Sequence, residues 1–314
     1  MGLSILSIML FHQGWIAGKW IFPFNIIHLF GNYGVDIFFF VSGFGLVFSL
    51  SKNNSTLDFY KRRLLRLLPL CIFCGVCKYT FDYYYPSHIK GINTNWTTFL
   101  GLDMWFIRVL ITYYLITPLL YKLLKNYQFL FILCSLVAPL CGEILLGNGI
   151  QTQFLARFFS FTLGMYIAYY NINLNQKLLF SSFIFFISSH LIKLYITRIH
   201  PFSDFYIYYV FSAGIIWFLF ISIKIINKYL RNNSFLKDTL CFLGKHSLEI
   251  YLIHEFVYKI LYHLNGRTYL PGGGVPFIDA FIQLIIGLLL SVFIAYLCFI
   301  IVNYLTTKMK LNYG

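Results

Sequence analysis

Several ionisable side chains fall inside sequence that is otherwise apolar. His12 closes the run MGLSILSIMLFHQG, and Asp36 interrupts YGVDIFFFVSG. Arg108 and Arg157 each lie about one turn into later runs, Glu143 and His190 lie toward the ends of two more, and His254 and Glu255 are neighbours in another. An ionisable group held in hydrocarbon costs about 3 kcal/mol or more, so each is a candidate for function. An imidazole beside a carboxylate makes a general base, because the acid holds one tautomer and steadies the imidazolium. His12 and Asp36, on consecutive runs joined by a short loop, are the pair expected to work this way; the alternative is a histidine bonded to a neighbouring helix's carbonyl. Arg108 and Arg157 suit a developing oxyanion or an anionic substrate. They suit equally a structural role, as counter-ions for Asp36, Asp103 and Glu143. His190 reads as a packed or interfacial histidine.

A second unusual segment is FYKRRLLRLLPL at 59–70, where Lys61, Arg62, Arg63 and Arg66 crowd slightly more than one helical turn. Headgroup anchoring accounts for such a cluster. So does a site for a phosphate-bearing ligand, since guanidinium forks match phosphate oxygens. The seven cysteines are an odd number and imply no disulfide framework. Cys71, Cys74 and Cys77 recur every three residues with no histidine among them, which reads as helix packing and not as a metal site. No metal is expected.

These residues need elements to hold them, and composition names the elements. Hydrophobic residues make up 59% of the 314, charged residues 11%, and mean hydropathy is +0.74. A soluble domain of this length carries about 25% charged residues. The surplus Leu, Ile and Phe has only lipid to meet, so the chain reads as an all-α, polytopic integral membrane protein. A span needs about 20 mostly apolar residues. Ten such runs occur, at 1–17, 33–50, 66–83, 103–121, 127–146, 153–170, 178–196, 205–226, 241–262 and 277–305. The connections are short, so residues 1–314 are expected to form one membrane domain with no soluble domain.

Charge sets the orientation. If the first helix runs from inside to outside, fifteen of the 24 basic residues fall inside, four fall outside and five lie within spans. This is the positive-inside pattern, and it puts both termini in the cytoplasm. It also accounts for most of the net charge of +14, which leaves the lipid bilayer as partner and removes nucleic acid. The first run has no basic lead and no small-residue cleavage site, so it reads as a retained helix. With this topology the buried polar residues gather in the outer half of the membrane, His12 about 16 Å above the inner surface.

Several segments then resemble one family. His12 ending the first run, YGVDIFFFVSGFGLV at 33–47 and FYKRRLLRLLPL at 59–70 look like the bacterial membrane acyltransferase-3 family. MWFIRVLITYYLITPLL at 104–120 is similar to its Trp-Phe helix, and FLGKHSLEIYLIHEF at 242–256 resembles its late Ser-x-x-x-Tyr-Leu-x-His helix. The resemblance implies ten core helices in the bacterial inner, or cytoplasmic, membrane. It implies transfer of an acyl group, usually acetyl, from cytoplasmic acyl-CoA to a hydroxyl of a cell-surface or exported polysaccharide. The family's histidine maps to His12, its Gly-Val-Asp aspartate to Asp36, its Arg-Arg pair to Arg62 and Arg63, and its next basic position to Arg66. Trp105, Tyr251 and His254 fall on its later motifs. The family also places an arginine ten intervening residues before the histidine, where Met1 stands. A true start upstream of Met1 is expected. Leu248 stands where a second tyrosine is usual.

In the mechanism so expected, acetyl-CoA docks its phosphates on Arg62, Arg63 and Arg66. His12, oriented by Asp36, takes the proton of the acceptor hydroxyl, and Arg108 or a neighbour stabilises the tetrahedral oxygen. A covalent acyl-histidine is the variant. Two rivals use the same residues differently. A transporter or flippase predicts an inverted internal repeat, and no similarity joins the two halves. A glycan polymerase or ligase needs a large outer loop, whereas the longest here is under about 20 residues.

Overall fold

The computed structural model describes residues 1–17, 31–52, 55–84, 104–146, 150–172, 234–264 and 277–311, with isolated helical residues at 180, 181, 184, 187, 188 and 228. Among the described residues the fold is all helix. The helices are α1 (Gly2–Ala17), α2 (Gly31–Ser51), α3 (Thr56–Tyr84), α4 (Trp105–Asn126), α5 (Gln128–Leu146), α6 (Ile150–Tyr170), α7 (Ser234–Lys245), α8 (Ser247–Leu264) and α9 (Phe277–Leu311). Helix is the form that satisfies backbone N–H and C=O groups within one segment, which lipid requires. Within α2, α4 and α9, the segments Gly34–Ser51, Trp105–Asn126 and Phe281–Tyr304 are long and apolar enough to cross a membrane. The expected spans at 178–196 and 205–226 lie almost wholly outside the described residues, as does the outer loop at 270–276.

Two boundaries differ from the hydropathy reading. α3 begins at Thr56, ten residues before the predicted span, because Ser55 caps it: the Asp58 backbone N–H donates to Ser55 Oγ at 3.3 Å. The basic cluster is therefore wound into the helix and is not in a loop ahead of it. The predicted span 241–262 is two helices that meet at His246. There Ser247 Oγ donates back to the Gly244 carbonyl at 2.9 Å, satisfying an oxygen at the end of α7.

Contacts concentrate in two units, one of Met1–Gly34, Lys61–Arg108 and Asp238–Gly314, the other of Val35–Tyr60 and Val109–Lys237. In the first, α1 packs on α8, and α8 on α9. A Cβ at Gly2 would collide with the Leu240 carbonyl, and one at Gly287 with the Tyr258 ring, so both glycines permit close approach. Ser4 Oγ donates to the Gly34 carbonyl at 2.5 Å. α9 turns its small residues inward and its large ones outward: Ser291, Ala295 and Cys298 are buried, whereas Leu289 is 67% and Phe293 59% exposed. That inversion of the soluble pattern suits a helix whose outer face meets lipid.

In the second unit, α2 and α6 share a reciprocal glycine contact. A Cβ on Gly43 would strike the Phe161 carbonyl, and a Cβ on Gly164 the Phe40 carbonyl. Seven residues earlier on each helix stand Asp36 and Arg157, which also meet. The paired positions advance together, so the two helices run parallel. Tyr113 of α4 is fully buried among Phe39, Phe158 and Phe161, with ring centroids 5.1, 6.1 and 4.5 Å away.

Candidate active site

α1 and α8 bring two imidazoles into contact in the first unit. His12 Nδ1 lies 2.7 Å from His254 Nε2, with ring centroids 4.9 Å apart. The other nitrogen of His254, Nδ1, lies 3.0 Å from the Ile250 carbonyl one turn earlier. A carbonyl only accepts, so His254 carries its proton on Nδ1 and presents a bare Nε2. His12 must then donate from Nδ1, which leaves its own Nε2 as the free lone pair. His254 is 1% exposed and fixed by Tyr251 and Tyr258, whose rings lie 5.6 and 6.0 Å from it. The sequence of bonds from helix carbonyl to His254 to His12 leaves His12 Nε2 with a lone pair able to take a proton, with no carboxylate in the sequence.

The pair opens on a cavity of about 140 Å³. Its wall includes His12, His254, Trp105, Tyr251 and Lys78, together with Cys74, Cys77 and Cys298. This is about the volume that holds one benzene-sized group in a protein interior. Phe106 stacks on Tyr251 at 4.3 Å and fixes that wall. Glu255 and Lys259, one turn apart on α8, form an ion pair at 2.7 Å at the cavity edge, and theirs are the charges that act on His12. The pair is partly exposed, at 42% and 34%, so its worth is electrostatic placement more than stability.

The second unit holds a different polar centre. Arg157 Nη1 donates to Asp36 Oδ2, and Ser160 Oγ donates to Asp36 Oδ1 at 3.4 Å. The side chains of the ion pair are 3% and 1% exposed. Arg157 and Ser160 are three apart on α6, hence on one face, and together they engage both carboxylate oxygens.

A family model for the acyltransferase domain matches residues 2–300. The chain belongs to the acyltransferase-3 family. No curated protein and no solved structure gives a significant match. With its apolar helices, it is a membrane acyltransferase.

Within this acyltransferase the expected residues fall into three groups. His12, His254, Trp105 and Tyr251 converge on the cavity. In the first unit His12 pairs with His254, imidazole with imidazole, and in the second Asp36 pairs with Arg157, carboxylate with guanidinium. Arg108 is one turn beyond Trp105 on α4, half-buried and outside the cavity wall. Arg62 and Arg66 are exposed and Arg63 is half-buried on the first turns of α3. Asp103, His190 and the side chain of Glu143 lie outside the described residues.

Lys78, Ser160 and Cys298 were not singled out by the sequence pattern, and Cys74 and Cys77 of the cavity wall read there as helix packing. Ser160 has a signal in retrospect, since it stands one turn from Arg157 on the same helix face. The cysteines of α3 follow helical spacing and carry none beyond packing. Among the described residues, no three His, Cys, Asp or Glu are grouped to share a metal ion.

Proposed function

We propose that this chain is a polytopic O-acyltransferase of the bacterial cytoplasmic membrane, with about ten spans and both termini inside. It moves an acyl group, acetyl in the first instance, from cytoplasmic acyl-CoA to a hydroxyl of a surface or exported polysaccharide. The observation that carries this reading is the 2.7 Å contact between His12 Nδ1 and His254 Nε2 beside the cavity. His12 Nε2 takes the proton of the acceptor hydroxyl as its oxygen attacks the thioester carbonyl. The imidazolium so formed donates from Nδ1 to His254, which spreads the new charge. The tetrahedral intermediate collapses with cleavage of the C–S bond, and the departing thiolate takes the proton back from His12.

Arg62, Arg63 and Arg66 meet the phosphates of the donor, a role that guanidiniums at a membrane face suit. Arg108, one turn from Trp105, is assigned to the developing oxyanion. Asp36 and Arg157 act as a positioning pair, holding α2 to α6. The test is glycan analysis of cells expressing the protein with His12 intact or replaced by alanine. Ester should vanish only in the variant; unchanged esterification removes His12 from the mechanism.

A further inference from the structure

α8 begins with polar groups that the chemistry above leaves unused. His246, at the junction of α7 and α8, is 2% exposed, and Glu249, in the first turn of α8, is 5% exposed. Neither His246 Nδ1 nor Glu249 Oε2 has a hydrogen-bond partner among the described residues. The rings of Phe242, Tyr296 and Phe299 enclose His246, with centroids 4.6, 5.5 and 4.5 Å away. A chain does not gain stability by burying a polar group with nothing to bond, so two such groups on one helix face point to a ligand.

Their surroundings say where along a ligand they act. Arg66, of the basic cluster, exerts its charge on both His246 and Glu249. On α3, Cys74 of the cavity wall follows Arg66 by eight residues, about 12 Å of helix. Glu249 precedes His254 by five residues, about 7.5 Å of helix. The protein thus presents, in order, cations, a buried carboxylate with an imidazole, and a cavity with a general base. An acyl-CoA presents, in the same order, phosphates, a pantetheine arm with two amides, and a thioester. We infer that His246 and Glu249 hold an amide of that arm. Glu249 Oε2 accepts its N–H, and His246, with its proton on Nδ1, donates to a carbonyl. The inference rests on the acyl-CoA reading above and assigns the residues that recognise the arm.

The test uses the full chain in detergent with bound radiolabelled acetyl-CoA, displaced by either half of the donor. Pantetheine probes the arm and adenosine 3′,5′-bisphosphate probes the cations. In Glu249→Leu and His246→Leu, pantetheine should displace the label about tenfold or more weakly, the loss expected when a charged or buried hydrogen bond to a ligand is removed. The bisphosphate should displace it as it does from the parent protein, and Arg62→Ala should show the reverse pattern. Thermal stability of the unliganded Glu249→Leu protein should hold or rise, because an apolar side chain replaces an unsatisfied carboxylate. A purely structural Glu249 would lower stability and weaken both fragments together, and that result overturns the assignment. Equal displacement by pantetheine from parent and variants overturns it as well. Failure of the parent protein to bind acetyl-CoA overturns the donor reading itself, and this assignment with it.

Discussion

Replacing His254 tests the proton arrangement directly. Its Nε2 accepts from His12 Nδ1 at 2.7 Å, a neutral bond at rest that becomes charge-assisted when His12 takes the acceptor's proton. A hydrogen bond to a charged group contributes about 2 kcal/mol, roughly twice a neutral one. The neutral bond is lost from the ground state as well, so kcat feels the difference of about 1 kcal/mol and falls about fivefold. Because the contact strengthens only as the proton moves, KM for the donor should change little in His254→Ala. His254→Gln restores an acceptor oxygen for Nδ1–H and should recover activity to within about twofold of the parent. His12→Ala/His254→Ala should be no slower than His12→Ala, since His254 acts only through His12. The assay is the initial rate of labelled acetyl transfer to glycan in membrane vesicles, normalised to protein level. A double variant about a hundredfold slower than His12→Ala, or a glutamine variant no better than alanine, refutes the reasoning.

Two further outcomes concern the second unit. Asp36→Asn leaves Arg157 charged and buried without its carboxylate, and should cost about 3–5 kcal/mol of stability. Adding Arg157→Gln should recover most of that loss in thermal unfolding of the detergent-solubilised protein; a double variant as unstable as the single would mean that the pair is not the source. Gly43→Ala and Gly164→Ala each place a methyl group against a backbone carbonyl of the facing helix. Each should destabilise by about 1–3 kcal/mol, with the double variant less than additive because one contact is shared. Full additivity in the same unfolding assay would contradict the reciprocal contact.

Much of the fold was legible because lipid imposes one rule, that apolar runs of sufficient length become helices. The exceptions arise where a polar side chain does local work that hydropathy ignores. Ser55 starts α3 well before its apolar stretch, and the Gly244–Ser247 turn divides what reads as one span. At the site, the residue types were readable and their partners were not. His12 and Asp36 lie on neighbouring segments, which suggested a dyad. Asp36 meets Arg157, 121 positions away, and no local pattern marks that pairing. The histidine of α8 was visible as a polar intruder, but its pairing with His12 spans 242 positions, and no local pattern encodes that. Glu249 was passed over because an acid in a helix's first turn is ordinarily explained by the macrodipole.

The oxygen that decides where His254 keeps its proton belongs to the main chain at Ile250. Every amino acid placed at that position supplies the same oxygen, so the setting is immune to substitutions that would erase an aspartate or asparagine in an equivalent post. The acid–base polarity of this enzyme is thereby written into the winding of a single helical turn. Unwinding that turn, and not altering the side chain at 250, is the change that would reverse it.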